Sequence, residues 1–126
     1  MPNHPALLYT FGLVTLLSTP AHAGDYLSAE QIKQLISGNT VQATHLRKDF
    51  DFSVYFDADG ETAVRKQNGT ETTTSYRFDG DRHCIHWKGQ DRCANIRDNG
   101  NGTYDRVTSN GKAPVRWLAI KPGRAL

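Results

Sequence analysis

No Asp, Glu, Lys or Arg occurs in the first 23 residues, although the whole chain carries 15 Lys+Arg and 13 Asp+Glu. This uncharged segment contains an apolar run of 12 residues, from Ala6 to Leu17, and it ends on Ala21-His22-Ala23. The run is too short for a transmembrane helix, which needs about 20 apolar residues. The small-x-small ending is typical of a signal-peptidase site. We therefore expect residues 1–23 to be an export signal that is cleaved after Ala23.

The remaining residues 24–126 are then a single small domain, periplasmic or secreted, with no membrane span in the mature chain. Cysteine is scarce in this domain, which has only Cys84 and Cys93. An even number of cysteines in an oxidising compartment indicates a disulfide. The bridge would close a loop of ten residues and stabilise the fold by roughly 2.5 kcal/mol.

Motifs of the well-known enzyme classes are also missing. The chain has no G-x-S-x-G, no Walker A sequence, no H-E-x-x-H and no dinucleotide-binding glycine pattern. The formal net charge is only +2, and the basic residues are scattered among acidic ones, which argues against nucleic-acid binding. These absences predict a protein that binds rather than converts its ligand, without a cofactor.

A helix is predicted at the start of the mature chain, between Leu27 and Gly38. Ser28 can cap it and Gln31, three residues later, completes a capping box, while Gly38 ends it. Apolar residues recur at helical spacing and would form the buried face: Ala29, Ile32, Leu35 and Ile36. A helix this short needs to pack on another element.

After Gly38 the apolar period changes to two, and turn dipeptides such as Asn68-Gly69 and Lys88-Gly89 recur every 8 to 12 residues. This pattern predicts a mainly β fold, with the short helix packed on a seven- to eight-stranded antiparallel meander that forms a small barrel or a curled sheet. Two strands have clear faces: Phe50, Phe52, Val54 and Phe56 in one, and Thr72, Thr74, Tyr76 and Phe78 in the other.

Two further predictions concern individual strands. The segment from Val115 to Ile120 is apolar on both faces, and we interpret it as covered by the core on one side and the helix on the other, although a slipped register would give a similar pattern. A two-residue turn at Lys88-Gly89 would fix one hairpin with these opposing pairs: Trp87 with Gln90, Ile85 with Arg92, and Cys84 with Cys93.

The densest cluster of chemically active side chains is His83, Cys84 and His86, with Cys93 nearby. Thiolate and imidazole are ligands of copper and zinc, so Cys84, His86 and Cys93 are an alternative metal site. We favour the disulfide, because oxidised cysteines cannot ligate as thiolates and because strand alternation places His83 on the opposite face. His86 and Asp91 are interpreted as cross-strand neighbours rather than an acid/base pair.

Several short motifs are spread along the chain: the opening from Leu27 to Thr40, Phe56 with Asp59-Gly60, the segment from Gly80 to Trp87 followed by Cys93, and a C-terminal apolar strand that ends before Gly123. In these motifs the chain resembles a group of short exported bacterial proteins, of proteobacterial type, whose function is uncharacterised. The resemblance implies an envelope location and a helix followed by a small antiparallel barrel, and it brings no catalytic residues.

We therefore expect a non-enzymatic exported binding or envelope-accessory protein, whose partner is an envelope protein or a small molecule. Binding would occur at the barrel mouth or on exposed aromatic residues such as Tyr55 and Tyr104. The alternatives are the copper or zinc protein described above and an inhibitor of a wall-degrading enzyme. The oligomeric state is not determined by the sequence.

Overall fold

The computed structural model describes residues 22–126, so that most of the predicted export signal lies outside the described residues. The described chain forms one helix and eight strands. Their bounds are as follows: α1 Ala29–Ile36, β1 Asn39–His45, β2 Phe50–Phe56, β3 Thr62–Gln67, β4 Thr70–Asp79, β5 Arg82–Trp87, β6 Gln90–Asp98, β7 Tyr104–Val107 and β8 Val115–Pro122.

The helix begins and ends where its capping residues predict. The Ser28 hydroxyl accepts a hydrogen bond from the Gln31 backbone N–H, and the Gln31 side chain accepts one from the Ser28 backbone, which completes the capping box. After α1 the chain turns at Gly38, whose φ of 73° is unfavourable for residues with a Cβ. The Ala29 N–H is bound by Asp81, which places the start of the helix beside the β4–β5 turn.

The eight strands form a closed antiparallel barrel in which each strand pairs with the next and β8 returns to pair with β1. Two of the predicted turns, Asn68-Gly69 and Lys88-Gly89, have positive φ at both residues, as a type I′ hairpin requires. The sequence predicted seven or eight strands in a barrel or a curled sheet, and the structure has eight strands in a closed barrel.

The hairpin of β5 and β6 has the predicted register: Trp87 with Gln90, Ile85 with Arg92, and Cys84 with Cys93. The two cysteines form a disulfide, as expected from the sequence. Alternation along β5 places His83, Ile85 and Trp87 on the face opposite to the bridge. The disulfide therefore joins the hairpin on one side while these three side chains line the interior of the barrel.

Apolar side chains of the helix and of the strands belong to one buried core. Ile32 and Ile36 of α1 are fully buried and belong to the same cluster as Phe56, Ile96 and Trp117 from the strands. Leu35 is partly buried and packs against it. At about 25 cal/mol per Å² of apolar surface, burying two isoleucines contributes roughly 3 to 6 kcal/mol, which explains how so short a helix is held.

A buried carboxylate joins the last three strands on the outer face of the barrel. The Asp105 side chain on β7 is only 3% exposed and accepts hydrogen bonds from Arg97 on β6 (2.9 Å) and Arg116 on β8 (2.7 Å). Asn99 donates a further bond at 3.1 Å. Burial by itself would raise the pKa of Asp105, but the bonds from Arg116, Asn99 and Arg97 outweigh burial and lower this pKa to about 2.

The prediction that β8 is covered on both faces is wrong, because Leu118 is 45% exposed. The register between β1 and β8 shifts at this point, with Ala43 opposite Trp117 and Gln42 opposite Ala119. Leu118 is the extra residue of a β-bulge, and a bulge interrupts the alternation of faces. The apolar run in β8 therefore reflects this shift in register rather than a second buried face.

The prediction for β4 holds only over half of the strand. Tyr76 is buried and Phe78 packs against the core, but Thr72 is exposed and Thr74 is half-buried. Thr72 lies near the β3–β4 turn, where the side chains no longer fill the barrel. The unfilled space at this end of the barrel is the candidate site.

Candidate functional site: the barrel cavity

A cavity of about 580 Å³ runs from the core to one end of the barrel. We call this end the mouth; it is formed by the connections β1–β2, β3–β4, β5–β6 and β7–β8. The lining begins at Phe56, His83 and Trp117 in the core and reaches Lys48 and Lys88 in the turns of the mouth. The volume lies within the range of about 300 to 1,000 Å³ typical of small-molecule sites.

Alternate residues of each strand point into the barrel, and apolar side chains form most of the inner wall. On β2 these are the four residues that the sequence pattern placed on one face: Phe50, Phe52, Val54 and Phe56. Ile85, Trp87 and Trp117 face them from β5 and β8. These aromatic side chains provide a large apolar surface inside the barrel.

Cationic side chains line the same cavity, whereas no Asp or Glu of residues 22–126 does. The cations are Lys48, Arg65, Lys88, Arg92 and Arg106. Within residues 22–126, none of these five side chains lies within ion-pair distance of a carboxylate. The arginines of the outer face behave differently, since Arg77, Arg97 and Arg116 are all paired with aspartates. The interior is therefore strongly positive although the whole chain is nearly neutral.

Arg106 on β7 is the most deeply placed of the five cations and is only 9% exposed. Its guanidinium donates to neutral acceptors, namely the His83 Nδ1 atom, the His83 carbonyl and the Arg92 carbonyl. Burial lowers the pKa of Arg106 to about 10, which leaves the group charged at neutral pH. A buried charge without an opposite charge is costly, even where carbonyl dipoles solvate it in part.

His83 is the neutral partner of this arginine. Burial, and then the charge of Arg106, hold the pKa of His83 well below its ordinary value. Because a guanidinium can only donate, the Nδ1 atom of His83 accepts and its Nε2 atom carries the hydrogen. That Nε2 atom is buried and has no hydrogen-bond partner among residues 22–126.

Arg65 on β3 lies nearer the mouth, between two aromatic rings. Its guanidinium carbon is 3.9 Å from the centre of the Phe52 ring and 4.3 Å from that of the Trp87 ring. Its Nη2 atom donates to Gln67 at 2.8 Å, but its Nε atom is buried and has no hydrogen-bond partner in the part of the chain that the structure describes. Burial, with a further contribution from the charge of Arg92, lowers the pKa of Arg65 to about 10. Cation–π contacts fix this guanidinium while part of its hydrogen-bonding capacity stays unused.

The residues of the alternative metal site, Cys84, His86 and Cys93, do not form a set of metal ligands in this structure. Both sulfurs of Cys84 and Cys93 are in the disulfide, so neither is a thiolate. His86 lies on the outer face and is hydrogen-bonded to Asp91 at 2.9 Å, which confirms the predicted cross-strand pair. No group of three His, Cys, Asp or Glu side chains suited to a metal occurs within residues 22–126. The metal alternative therefore applies only to a reduced form of the protein.

The two tyrosines considered as exposed binding residues are partly buried. Tyr55 on β2 lies below the Arg124 guanidinium, 5.8 Å from ring centre to guanidinium carbon. Tyr104 on β7 packs edge-on against Trp117, and burial followed by the charge of Asp98 raises its pKa. Neither tyrosine is among the residues that line the cavity.

Sequence reasoning missed the inward-facing arginines, although one signal was present. The predicted register of the β5–β6 hairpin sets Arg92 opposite Ile85, on the face of the core. An arginine at an inward position breaks the alternation of apolar and polar residues, and such a break is expected mainly at functional sites. Arg65 and Arg106 gave no comparable signal, because their strands had no register predicted from the sequence.

Comparison of the chain with known protein families, curated proteins and solved structures finds no match. The geometry of the cavity is therefore the basis for inferring a function. The one helix in the described part of the chain is too short to cross a membrane.

Proposed function

We propose that this chain is an exported, non-enzymatic binding protein and that its ligand is a small molecule held inside the barrel. The observation that carries the proposal is the cavity of about 580 Å³, which combines an aromatic wall with a few polar and charged groups. Small-ligand sites in eight-stranded barrels occupy the same place, because a barrel of this size has room for one ligand in its interior.

The helix supports a pocket with one open end. Ile32 and Ile36 of α1 enter the core cluster, and the start of the helix is hydrogen-bonded to Asp81 in the β4–β5 turn. That turn belongs to the end opposite to the mouth. The helix therefore closes one end, and the ligand enters through the other.

The disulfide supports the proposed export, because such bridges persist mainly in oxidising compartments. Intact mass of the protein purified from a periplasmic or secreted fraction tests this part of the proposal. We expect a chain that starts at Gly24 and has two hydrogens fewer than the reduced form. A mass that includes residues 1–23 would contradict cleavage after Ala23.

Binding in the cavity is tested with N-phenyl-1-naphthylamine, a neutral probe whose fluorescence increases in apolar sites. We expect the probe to bind the parent protein with a stoichiometry of one. The variant Ile85→Trp adds an indole to the wall of the cavity and should weaken binding at least tenfold, because the added volume occupies the space of the probe.

Ser75→Trp is the matched control, since it adds the same side chain at an exposed position of the neighbouring strand β4. This variant should bind the probe as the parent does. Circular dichroism and thermal unfolding establish that both variants are folded. Equal probe binding by Ile85→Trp and Ser75→Trp would show that the probe binds elsewhere and would refute the cavity as the site.

A further inference from the structure

We propose that the cavity selects a small amphipathic anion, with an aromatic or aliphatic body against the aromatic wall and a carboxylate, sulfonate or phosphate group among the inward-facing arginines. This inference rests on the proposed function, because it specifies the chemical class of the ligand in the same cavity. Two observations on the described part of the chain carry it: Arg65, Arg92 and Arg106 have no carboxylate partner there, and no acidic residue there lines the cavity.

Charge balance is the first argument. Side chains of Arg, Lys, Asp and Glu are rarely buried unless they are paired, because removing a charge from water is costly. Asp105 shows that this chain can supply a carboxylate to half-buried arginines on its outer face. It supplies none to Arg106 in the interior, where the cost of an uncompensated charge is greatest. An anionic ligand would provide the missing charge.

Unused hydrogen-bond donors of Arg65 and Arg106 also favour an anionic ligand. The Arg106 guanidinium has five N–H groups but makes only three hydrogen bonds to acceptors in the described chain. The Nε–H group of Arg65 makes no hydrogen bond to any described residue. A guanidinium presents its donors in a planar fork that matches the oxygens of a carboxylate or phosphate. Lys48 and Lys88 in the mouth add a positive electrostatic potential that attracts an anion toward the entrance.

The apolar wall determines the rest of the ligand. Phe50, Phe52, Val54 and Phe56 form a continuous inward-facing row along β2. A free inorganic anion would leave this surface hydrated, and an uncharged apolar molecule would leave the arginines unpaired. A molecule with both an apolar body and one anionic group satisfies both surfaces, so we favour it over either simpler ligand.

Two probes that share one skeleton provide the test. 1-Anilinonaphthalene-8-sulfonate is N-phenyl-1-naphthylamine with a sulfonate group added, so the ratio of their dissociation constants reports the contribution of the anionic group. We expect the parent protein to bind the sulfonate at least tenfold more tightly than the neutral probe, because a hydrogen bond to a charged group contributes more than a neutral one. Isothermal titration calorimetry gives both constants and the stoichiometry.

Arg92→Gln is the first variant, because the Arg92 side chain is accessible to solvent and makes no hydrogen bond or ion pair within the described chain. We expect about a tenfold weaker affinity for the sulfonate and an unchanged affinity for the neutral probe. Arg65→Met, which keeps most of the side-chain volume, should also weaken the affinity for the sulfonate and leave the affinity for the neutral probe unchanged. Using two positions keeps the test informative if either variant is unstable.

Arg77→Gln is the matched control, since it removes the same charge from the outer face of β4. It should leave both affinities within twofold of the parent. If Arg77→Gln weakened sulfonate binding as much as Arg92→Gln, the probe would be responding to net charge, and the inference would be wrong. Competition by decanoate but not by 1-decanol would extend the preference from a sulfonate to a carboxylate.

The outcomes separate this inference from the proposed function. If both probes bind equally and the arginine variants change neither constant, the cavity is a binding site without preference for anions, and only the inference fails. If neither probe binds, both the proposed function and the inference are refuted. Tight binding of inorganic phosphate alone, with no binding of either probe, would also contradict the amphipathic ligand.

Discussion

Substitution of Asp105 by asparagine should destabilise the barrel by about 2.5 kcal/mol at pH 7, and this loss should disappear in acid. The substitution keeps the size of the side chain but removes the charge that Arg97 and Arg116 share. The pKa of Asp105 falls from the ordinary value of 3.8 to about 2 on folding. At about 1.4 kcal/mol for each pH unit between these two values, the ionised carboxylate stabilises the folded protein by about 2.5 kcal/mol.

The sign of the pH dependence follows from the same two values. Because the pKa of Asp105 is lower in the folded protein than in the unfolded chain, its contribution is complete above about pH 4. The contribution decreases as the carboxylate is protonated and is almost lost at pH 2. About half of it should remain at pH 3.

Urea unfolding followed by circular dichroism measures the difference between parent and Asp105→Asn at pH 7, 5, 4 and 3. The expected loss corresponds to a decrease in Tm of roughly 10 °C at pH 7. Asp51→Asn, at an exposed position of β2, is the control and should change the free energy of unfolding by less than about 0.5 kcal/mol. A difference for Asp105→Asn below about 0.5 kcal/mol at pH 7, or one of equal size at pH 7 and pH 3, would refute the reasoning.

Three further predictions concern the stability of separate elements. The double variant Cys84→Ser/Cys93→Ser should lower the free energy of unfolding by roughly 2.5 kcal/mol, because the unfolded chain gains the entropy of a ten-residue loop, and a loss below about 0.5 kcal/mol in urea would contradict this account. Ser28→Ala removes the hydroxyl that accepts from Gln31 and should cost about 1 kcal/mol by the same measurement, whereas Ser28→Gly should cost less. Leu118→Gln should change stability by less than about 0.5 kcal/mol, since Leu118 is an exposed bulge residue, and a large loss in thermal unfolding would show that it is covered.

Features determined by a few neighbouring residues were the ones that could be predicted from the sequence. The helix cap requires only Ser28 and Gln31, and the register of the β5–β6 hairpin follows from the turn at Lys88-Gly89. Such signals are local, so their physical cause is contained in a short segment. Closure of the barrel depends instead on the pairing of β1 with β8, which are separated by most of the chain.

The candidate site was harder to predict because it violates the rule that predicts the rest of the fold. The alternation of apolar and polar residues assigns charged side chains to the solvent, and it therefore misassigns Arg65 and Arg106, which point inward. The bulge at Leu118 caused the opposite error, since it brought an apolar side chain to the surface. The position of the cavity could be expected from a barrel, whereas its charge could not be obtained without the register of every strand.

If the cavity binds a ligand as proposed, the closed barrel separates stability and recognition at opposite ends of the molecule. The helix, the buried isoleucines and the core cluster lie toward one end, whereas Lys48 and Lys88 lie in short turns at the mouth. Turn sequences at the mouth can therefore change in length and chemistry with little effect on the packed end. A library restricted to the β1–β2 and β5–β6 turns would yield barrels of similar stability with different ligand preferences, which makes the fold a scaffold for evolving new binding specificities.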